Sequence, residues 1–171
     1  MNQIKTLVIN KKAIIFSSIQ FVVLIGIAIT APLIKQQLIS GSIVNAVLFI
    51  SVALFGIQGA ILTGLIPSLV ALSSGLLPPV LAPMVPFIMA GNTILVLVFW
   101  YLRKRNYWLG MVSAALLKFI FLLYSSSIIA DLIIKKEIAQ NAALMMSWPQ
   151  LFTALIGGLI AYFVLKNNKK N

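Results

Sequence analysis

Lys118 has the clearest potential for binding chemistry in this chain, because it interrupts a run that is otherwise apolar. The run is WLGMVSAALLKFIFLLYSSSII, residues 108–129, and it is long enough to cross a hydrocarbon core of ~30 Å. Counted from Tyr107 at ~1.5 Å per residue, Lys118 lies roughly 16 Å along the run, too deep to snorkel to the surface. A cation at that depth costs at least ~2.5–3.5 kcal/mol unless something receives it. We therefore predict a partner for Lys118.

Other polar side chains are predicted to lie with it in the outer half of the membrane. Three amides, a hydroxyl two helical turns from Lys118 on the same face, and an indole that can stack on a ring would form a pocket that opens outward. In this interpretation the cation meets an anionic or carbonyl group, and the amides give directional hydrogen bonds. The alternative is that the polar groups join helices to one another, at ~0.6 kcal/mol each. The predicted substrate-binding residues are Lys118, Asn92, Asn45, Gln150, Trp148 and Ser125.

Residue types that serve catalysis are scarce. The chain has no cysteine and no histidine, and its two acids are Asp131 and Glu137. This excludes zinc, haem-type and iron–sulfur sites built on the usual ligands, cysteine nucleophiles and histidine bases. We expect no enzyme, no cofactor and no metal site.

The composition indicates an integral membrane protein. Of 171 residues, 61% are hydrophobic and 9% are charged, and a soluble domain of this length could not bury so much apolar surface. The net charge of +11 comes from short basic clusters at the ends of apolar runs. Such clusters are typical of topology signals and of contacts with anionic lipid headgroups, so the bilayer is the expected partner and nucleic acid is not.

Stepping along the chain, we predict an all-α fold, a compact bundle of six transmembrane helices with both termini cytoplasmic. A basic lead, residues 1–12, precedes the membrane domain at 13–165, and a basic tail follows at 166–171. The second and third helices should form a tight hairpin; a re-entrant hairpin is the alternative. Residues 132–146 are amphipathic and predict an interfacial helix or a lid. The predicted helices cover about 13–34, 42–58, 60–75, 83–102, 108–130 and 148–165.

The distribution of basic residues orients this bundle. Nine of the thirteen lysines and arginines fall on the side that holds both termini, three fall on the other side, and Lys118 lies within. The positive-inside rule then makes the terminal side cytoplasmic. The nine are Lys5, Lys11, Lys12, Arg103, Lys104, Arg105, Lys166, Lys169 and Lys170.

Several segments resemble a known family. They are LAPMVPFIMAGN, WLGMVSAALLKF, SWPQLFTALIGG, and FGIQGAILTGLIPSL before a proline-rich loop. Over about residues 12–166 they look like substrate-binding (S) components of energy-coupling-factor (ECF) transporters, in a subgroup without an assigned substrate. The resemblance implies a bundle in the bacterial plasma membrane that binds a vitamin or similar micronutrient from outside.

The resemblance also implies partners, a transmembrane coupling subunit and two cytoplasmic ATPases. Because the chain contains no GxxxxGK(S/T) sequence, energy would come from those partners. One departure concerns docking: in place of the alanine pair expected at i,i+4 on the first helix, this chain has only Gly26 and Thr30.

Two other functions are consistent with the sequence. A stand-alone small-solute permease or channel needs a continuous polar path to the cytoplasm, for which the inner half offers mainly Gln20 and Thr63. A non-transport membrane scaffold needs no ligand at all.

Overall fold

The computed structural model describes residues 11–75, 79–132 and 143–168. In these ranges five helices are long and apolar enough to cross a membrane, and the protein is a multi-span helical membrane protein. The predicted basic lead up to residue 10, most of the predicted interfacial helix or lid, and the tail from residue 169 lie outside the described residues. The five spans are Lys11–Ile34, Gln37–Ser73, Ala82–Leu102, Tyr107–Ile129 and Ala143–Asn167.

The described chain contains five α-helices and two 3-10 turns with defined bounds, and residues 143–145 are also helical. Their bounds differ from the predicted bounds by a few residues. The largest difference is at the start of the second helix, which begins at Gln37 instead of about residue 42. In order the elements are α1 (Lys11–Thr30), a 3-10 turn (Ala31–Ile34), α2 (Gln37–Ser73), a second 3-10 turn (Pro79–Met84), α3 (Val85–Leu102), α4 (Tyr107–Leu132) and α5 (Trp148–Asn168).

A backbone reversal divides α2 at Gly56. This glycine has φ 71° and ψ −161°, a conformation that residues with a Cβ rarely adopt. A Cβ placed on Gly64 would lie 3.2 Å from the Leu48 side chain, although a straight helix would separate these residues by roughly 24 Å. Residues 37–55 and 57–73 therefore lie side by side and antiparallel. The sequence placed the junction at residue 59, and the reversal comes three residues earlier, at the residue best able to make it.

Proline ends the first helix earlier than predicted. Pro32 has no N–H to donate and its ring clashes with the preceding turn of an α-helix, so α1 stops at Thr30 and a 3-10 turn carries the chain to Ile34. Lys35, with φ 55°, then closes the turn by donating its N–H to Pro32 O (3.1 Å). The predicted helix to residue 34 is thus α-helical only as far as residue 30.

The bundle is organised around α2, which contacts α1, α3 and α5, while α4 contacts α3 and α5. Its apolar core includes Phe49 and Phe99, whose rings meet edge to face at 4.7 Å. Large apolar side chains cover the outside, where a bilayer would solvate them. On α1 only Ala28 is buried, and Gly26 and Thr30 face away from the bundle.

One end of the bundle gathers basic residues, and we call it the basic end. There the Gly56 reversal, the connection between α3 and α4 with residues 103–105, and Lys166 of α5 come together. Asn106 starts α4 at this end, because its Oδ1 accepts hydrogen bonds from the N–H groups of Trp108 (2.8 Å) and Leu109 (3.1 Å). We call the opposite end the far end.

Candidate functional site

Lys118 faces the interior of the bundle and is bound there by two amides. Its side chain is 3% exposed, and its Nζ donates to Asn45 Oδ1 (2.6 Å) and Asn92 Oδ1 (2.8 Å). It shares the inward face of α4 with Met111, Ala114 and Leu122, all buried. The amine therefore does not reach the headgroup region. Its acceptors are side chains of two other helices, not the backbone carbonyls that an incidental lysine would use.

The orientation of both amides follows from their second partners. Asn92 Nδ2 donates to the carbonyl of Gly64 (3.2 Å), which can only accept, so the Asn92 oxygen must point to Lys118. Asn45 Nδ2 donates to Thr153 Oγ1 (3.2 Å), and Thr153 in turn donates its hydroxyl to Gln150 O (3.1 Å). The lysine is thus held by a connected network that spans α2, α3, α4 and α5.

Helix geometry places this network near the middle of the bundle. Along the helix axes, Asn45 lies roughly 16 Å from the Gly56 reversal, Asn92 roughly 15 Å from Leu102, and Lys118 roughly 16 Å from Tyr107. The three estimates agree, so three independent helices bring their polar residue to one level. An ammonium has three N–H donors, and among the described residues only two acceptors lie within hydrogen-bond distance of Lys118.

A cavity of about 140 Å³ adjoins this amine, and we call it the Lys118 cavity. It is bounded by the first turns of α3, both halves of α2, the end of α1 and the start of α5, so it extends from Lys118 toward the far end. Ligand pockets for drug-sized molecules measure ~300–1,000 Å³, and this cavity matches a much smaller solute. Its polar wall is formed by Asn45, Asn92, Lys118, Gln150, Ser40 and Ser68.

Gln150, which lines the cavity, and Gln37, at the start of α2, share one hydrogen-bond acceptor. Both donate from Nε2 to the carbonyl of Met145, Gln150 at 3.2 Å. The start of α2 is thereby tied to the residues just before α5. The side-chain oxygen of Gln150 accepts no hydrogen bond from the described residues, so this amide keeps an acceptor for a solute in the cavity.

The structure brings four of the six predicted site residues together and places the other two elsewhere. Lys118, Asn45, Asn92 and Gln150 line the cavity. Trp148 is 62% exposed and stacks on Phe119 (centroids 5.3 Å apart) on the outside of the bundle. It lies two residues from Gln150, which is about 200° around a helix, so the two cannot face the same cavity.

Ser125 is the other predicted residue outside the cavity wall. It is buried on the same face as Lys118, but its Oγ donates to Phe121 O of its own helix (2.7 Å). At ~1.5 Å per residue it lies roughly 10 Å beyond the lysine. The face was predicted correctly; the distance leaves this hydroxyl outside the cavity.

Two groups outside the six predicted residues also belong to the site, the Thr153 hydroxyl and the Gly64 carbonyl. Both orient the amides that hold Lys118. Thr153 lies one turn after Gln150, on the same face of the helix, and that spacing is the only sequence signal. A backbone carbonyl gives no sequence signal.

A second cavity, of about 570 Å³, lies at the basic end, and we call it the basic-end cavity. From the sequence, residues 103–105 are interpreted as a topology signal and as a contact with lipid headgroups, with no cavity predicted there. The Arg103 Nε is buried and has no hydrogen-bond partner among the described residues. Burial lowers the pKa of Arg103 from its ordinary value, as expected for a cation that gives up water. The lining residues are Ala53, Leu54, Phe99, Arg103, Tyr107, Tyr162, Leu165 and Lys166.

An apolar layer separates the two cavities. On α2 it is formed by Phe49, one turn from Asn45 toward the basic end, and on α3 by Phe99, two turns from Asn92. Phe49 contacts Phe99, and Phe99 contacts Tyr107 at 5.3 Å, both edge to face. Both phenylalanines are fully buried. Among the described residues no side chain lines both cavities, although the buried Ser51 hydroxyl lies two residues beyond Phe49 on α2.

Comparisons with protein-family models, with curated proteins and with solved structures found no match to this chain. The function is therefore inferred from the residues that line the two cavities.

Proposed function

We propose that this protein is the substrate-binding subunit of an uptake system for a small micronutrient, a vitamin-like solute that is anionic or heterocyclic. The observation that carries the proposal is the Lys118 amine, fixed at mid-depth by two amide oxygens beside a cavity to which it can still donate. A lysine needed only for packing would be replaceable by an apolar side chain at lower cost.

The site suits a solute with a carboxylate or carbonyl group. Lys118 would supply a cation in a low-dielectric setting, where charge-assisted hydrogen bonds are strong. The free oxygen of Gln150 would accept from an N–H or O–H group of the same solute. Val85, Ile88 and Pro67 supply an apolar wall against which a ring can pack.

The proposal includes six membrane crossings, with each half of α2 counted as one, and cytoplasmic termini. Residues 37–55 and 57–73 measure roughly 28 and 25 Å as helices. The basic end would be cytoplasmic because lysine and arginine concentrate there, and the Lys118 cavity would then extend toward the outside. The chain has no cysteine, so single-cysteine variants at Ser73 and Arg105 would test this cleanly. An impermeant maleimide should label only the Ser73 variant in intact cells.

The apolar layer argues for a partner-driven system over a stand-alone channel. A solute in the Lys118 cavity would have to pass buried Phe49 and Phe99, and the hydroxyl of Thr63 is bound to Gly59 O of its own helix (2.8 Å). Release inward would therefore need a large rearrangement. We propose that a separate transmembrane coupling subunit and two cytoplasmic ATPases supply the energy for it. Uptake by the purified protein alone in liposomes would contradict this part of the proposal.

Ligand binding by a Lys118→Met variant is the direct test. Mass spectrometry of small molecules that co-purify with the native chain gives candidate ligands. These candidates and a panel of water-soluble vitamins are then tested for the rise they cause in the unfolding temperature of the protein in detergent. Lys104→Met is the matched control, because that lysine is exposed and lies over the Trp100 ring (4.9 Å). We expect the rise to disappear in the Lys118 variant and to persist in the control. An unchanged rise in both would remove Lys118 from the site.

A further inference from the structure

We propose that the basic-end cavity binds the phosphate of an anionic phospholipid, with Arg103 as the principal contact. The inference requires only that the protein spans a membrane. It is independent of the proposed uptake function and of the Lys118 cavity.

Arg103 has a hydrogen-bond donor that the described protein groups leave unpaired. Its Nε is buried and has no hydrogen-bond partner among the described residues, although a buried donor left unpaired is unfavourable. A guanidinium presents donors in a planar fork that matches two phosphate oxygens. Arg103 thus carries a donor that the described protein groups do not use, and this residue lines a cavity of suitable size.

The charged residues that line the basic-end cavity are all positive. Lys166 also lines the cavity, with its Nζ 5.9 Å from the centre of the Tyr162 ring. No acidic residue is among the lining residues; of the chain's two acids, Asp131 is in the last turn of α4 and Glu137 lies outside the described residues. Asp131 is roughly 36 Å along α4 from Tyr107. Two cations without a nearby carboxylate favour an anionic occupant.

The apolar part of the cavity wall favours a lipid over free phosphate. Most of the cavity wall is apolar: Phe99, Leu54 and Leu165, and the ring of Tyr107, whose hydroxyl already donates to Gly158 O (2.7 Å). Leu54 is also 39% exposed on the outside of the bundle, so the wall continues onto the surface that acyl chains would contact. The cavity lies where α3 ends and α4 begins, at the depth of lipid phosphates. A free ion would use only the two cations.

Native mass spectrometry of the full chain with added lipid tests this site. The probes are dioleoylphosphatidylglycerol, which is anionic, and dioleoylphosphatidylcholine, which is zwitterionic. The variant is Arg103→Gln, and the matched control is Arg105→Gln, which removes the same charge from an exposed neighbour outside the cavity. We expect about tenfold weaker retention of the anionic lipid for the first and less than about twofold change for the second. Equal losses in both variants, or equal retention of the two lipids by the native chain, would overturn the proposal.

Two further arms complete the experiment. Lys166→Gln should weaken retention of the anionic lipid about threefold. This variant replaces Arg103→Gln as the test if Arg103→Gln does not fold. In that case, unchanged retention by Lys166→Gln would count against the site. Inorganic phosphate at millimolar concentration should leave the bound lipid in place. If phosphate displaces it fully, the site is one for a free anion and the lipid assignment is wrong.

Discussion

Cationic side chains line both the Lys118 cavity and the basic-end cavity, and the fold treats Lys118 and Arg103 differently. Lys118 donates to two amide oxygens that are themselves held by Gly64 and Thr153. The buried Nε of Arg103 has no partner among the described residues. Roughly 15 Å along α3, from Asn92 to Leu102, separates the two levels.

That difference in depth explains the difference in design. At mid-bundle neither water nor a headgroup can solvate an ammonium, so the protein itself must supply acceptors. At the end of the helices water and lipid phosphates are within reach, so the protein can leave a guanidinium to be completed from outside. Removing an acceptor of Lys118 should therefore lower the free energy of unfolding considerably, whereas replacing Arg103 should hardly change it.

The largest expected effect comes from Asn92→Leu, a substitution of similar shape. It removes one acceptor of Lys118 and the Asn92 hydrogen bond to the Gly64 carbonyl, which keeps only its longer contact with Ser68 Oγ (3.5 Å) among side-chain donors. We expect a loss of about 3 kcal/mol in the free energy of unfolding. Arg103→Met should change it by less than about 0.5 kcal/mol, because the described residues offer the Nε no partner to lose. Thermal unfolding in detergent, followed by tryptophan fluorescence, compares the two. Equal losses would contradict the distinction between the cavities.

The level of the polar site could be predicted from sequence because depth along a helix is a matter of counting residues. Counting places Lys118 near mid-membrane, Asn92 in the outer half and Asn45 shallower still, and the structure brings all three to one level because α2 begins at Gln37, earlier than predicted. Rotation about the helix axis was harder to predict. Trp148 and Gln150 were assigned to one site, although two residues of separation turn them to opposite sides.

The partners of the amides, and the basic-end cavity, could not be predicted from sequence alone. They depend on which helices are neighbours. The Gly64 carbonyl meets Asn92 only because α2 reverses at Gly56 and returns beside α3. Arg103 was grouped with its two basic neighbours as a topology signal and headgroup contact, since nothing in the sequence shows that one of the three has a buried nitrogen.

A second prediction concerns how closely α5 approaches the Lys118 network. A Cβ on Gly157 would lie 2.7 Å from Ala46 N and Asn45 Cβ, so Gly157→Ala must push α2 and α5 apart and displace the Asn45 amide. We expect a loss of about 2 kcal/mol in unfolding free energy, together with weaker ligand binding. Gly26→Ala is the control, because nothing lies within 4 Å of a Cβ there. It should be neutral or slightly stabilising.

Tyr107 tests the layer between the cavities, with a smaller effect. Tyr107→Phe loses the hydrogen bond to Gly158 O (2.7 Å) and keeps the edge-to-face contact with Phe99. A loss of about 1 kcal/mol in unfolding free energy is expected. Tyr162→Phe should be close to neutral, since its hydroxyl makes no hydrogen bond with the described residues. If the two variants behave alike, the Tyr107 hydroxyl does not fasten α4 to α5.

The smallest effects separate residues that line the Lys118 cavity from those that only share its helices. Ser125→Ala removes a hydroxyl that bonds to its own helix, and Trp148→Phe keeps an aromatic ring beside Phe119 on the outside. Each should change the unfolding free energy by less than about 0.5 kcal/mol and leave the ligand-induced rise in unfolding temperature unchanged. Gln150→Leu should abolish that rise, because it replaces the free amide oxygen in the cavity wall with a methyl group. A diminished rise in the Trp148 variant would contradict the placement of this indole outside the cavity.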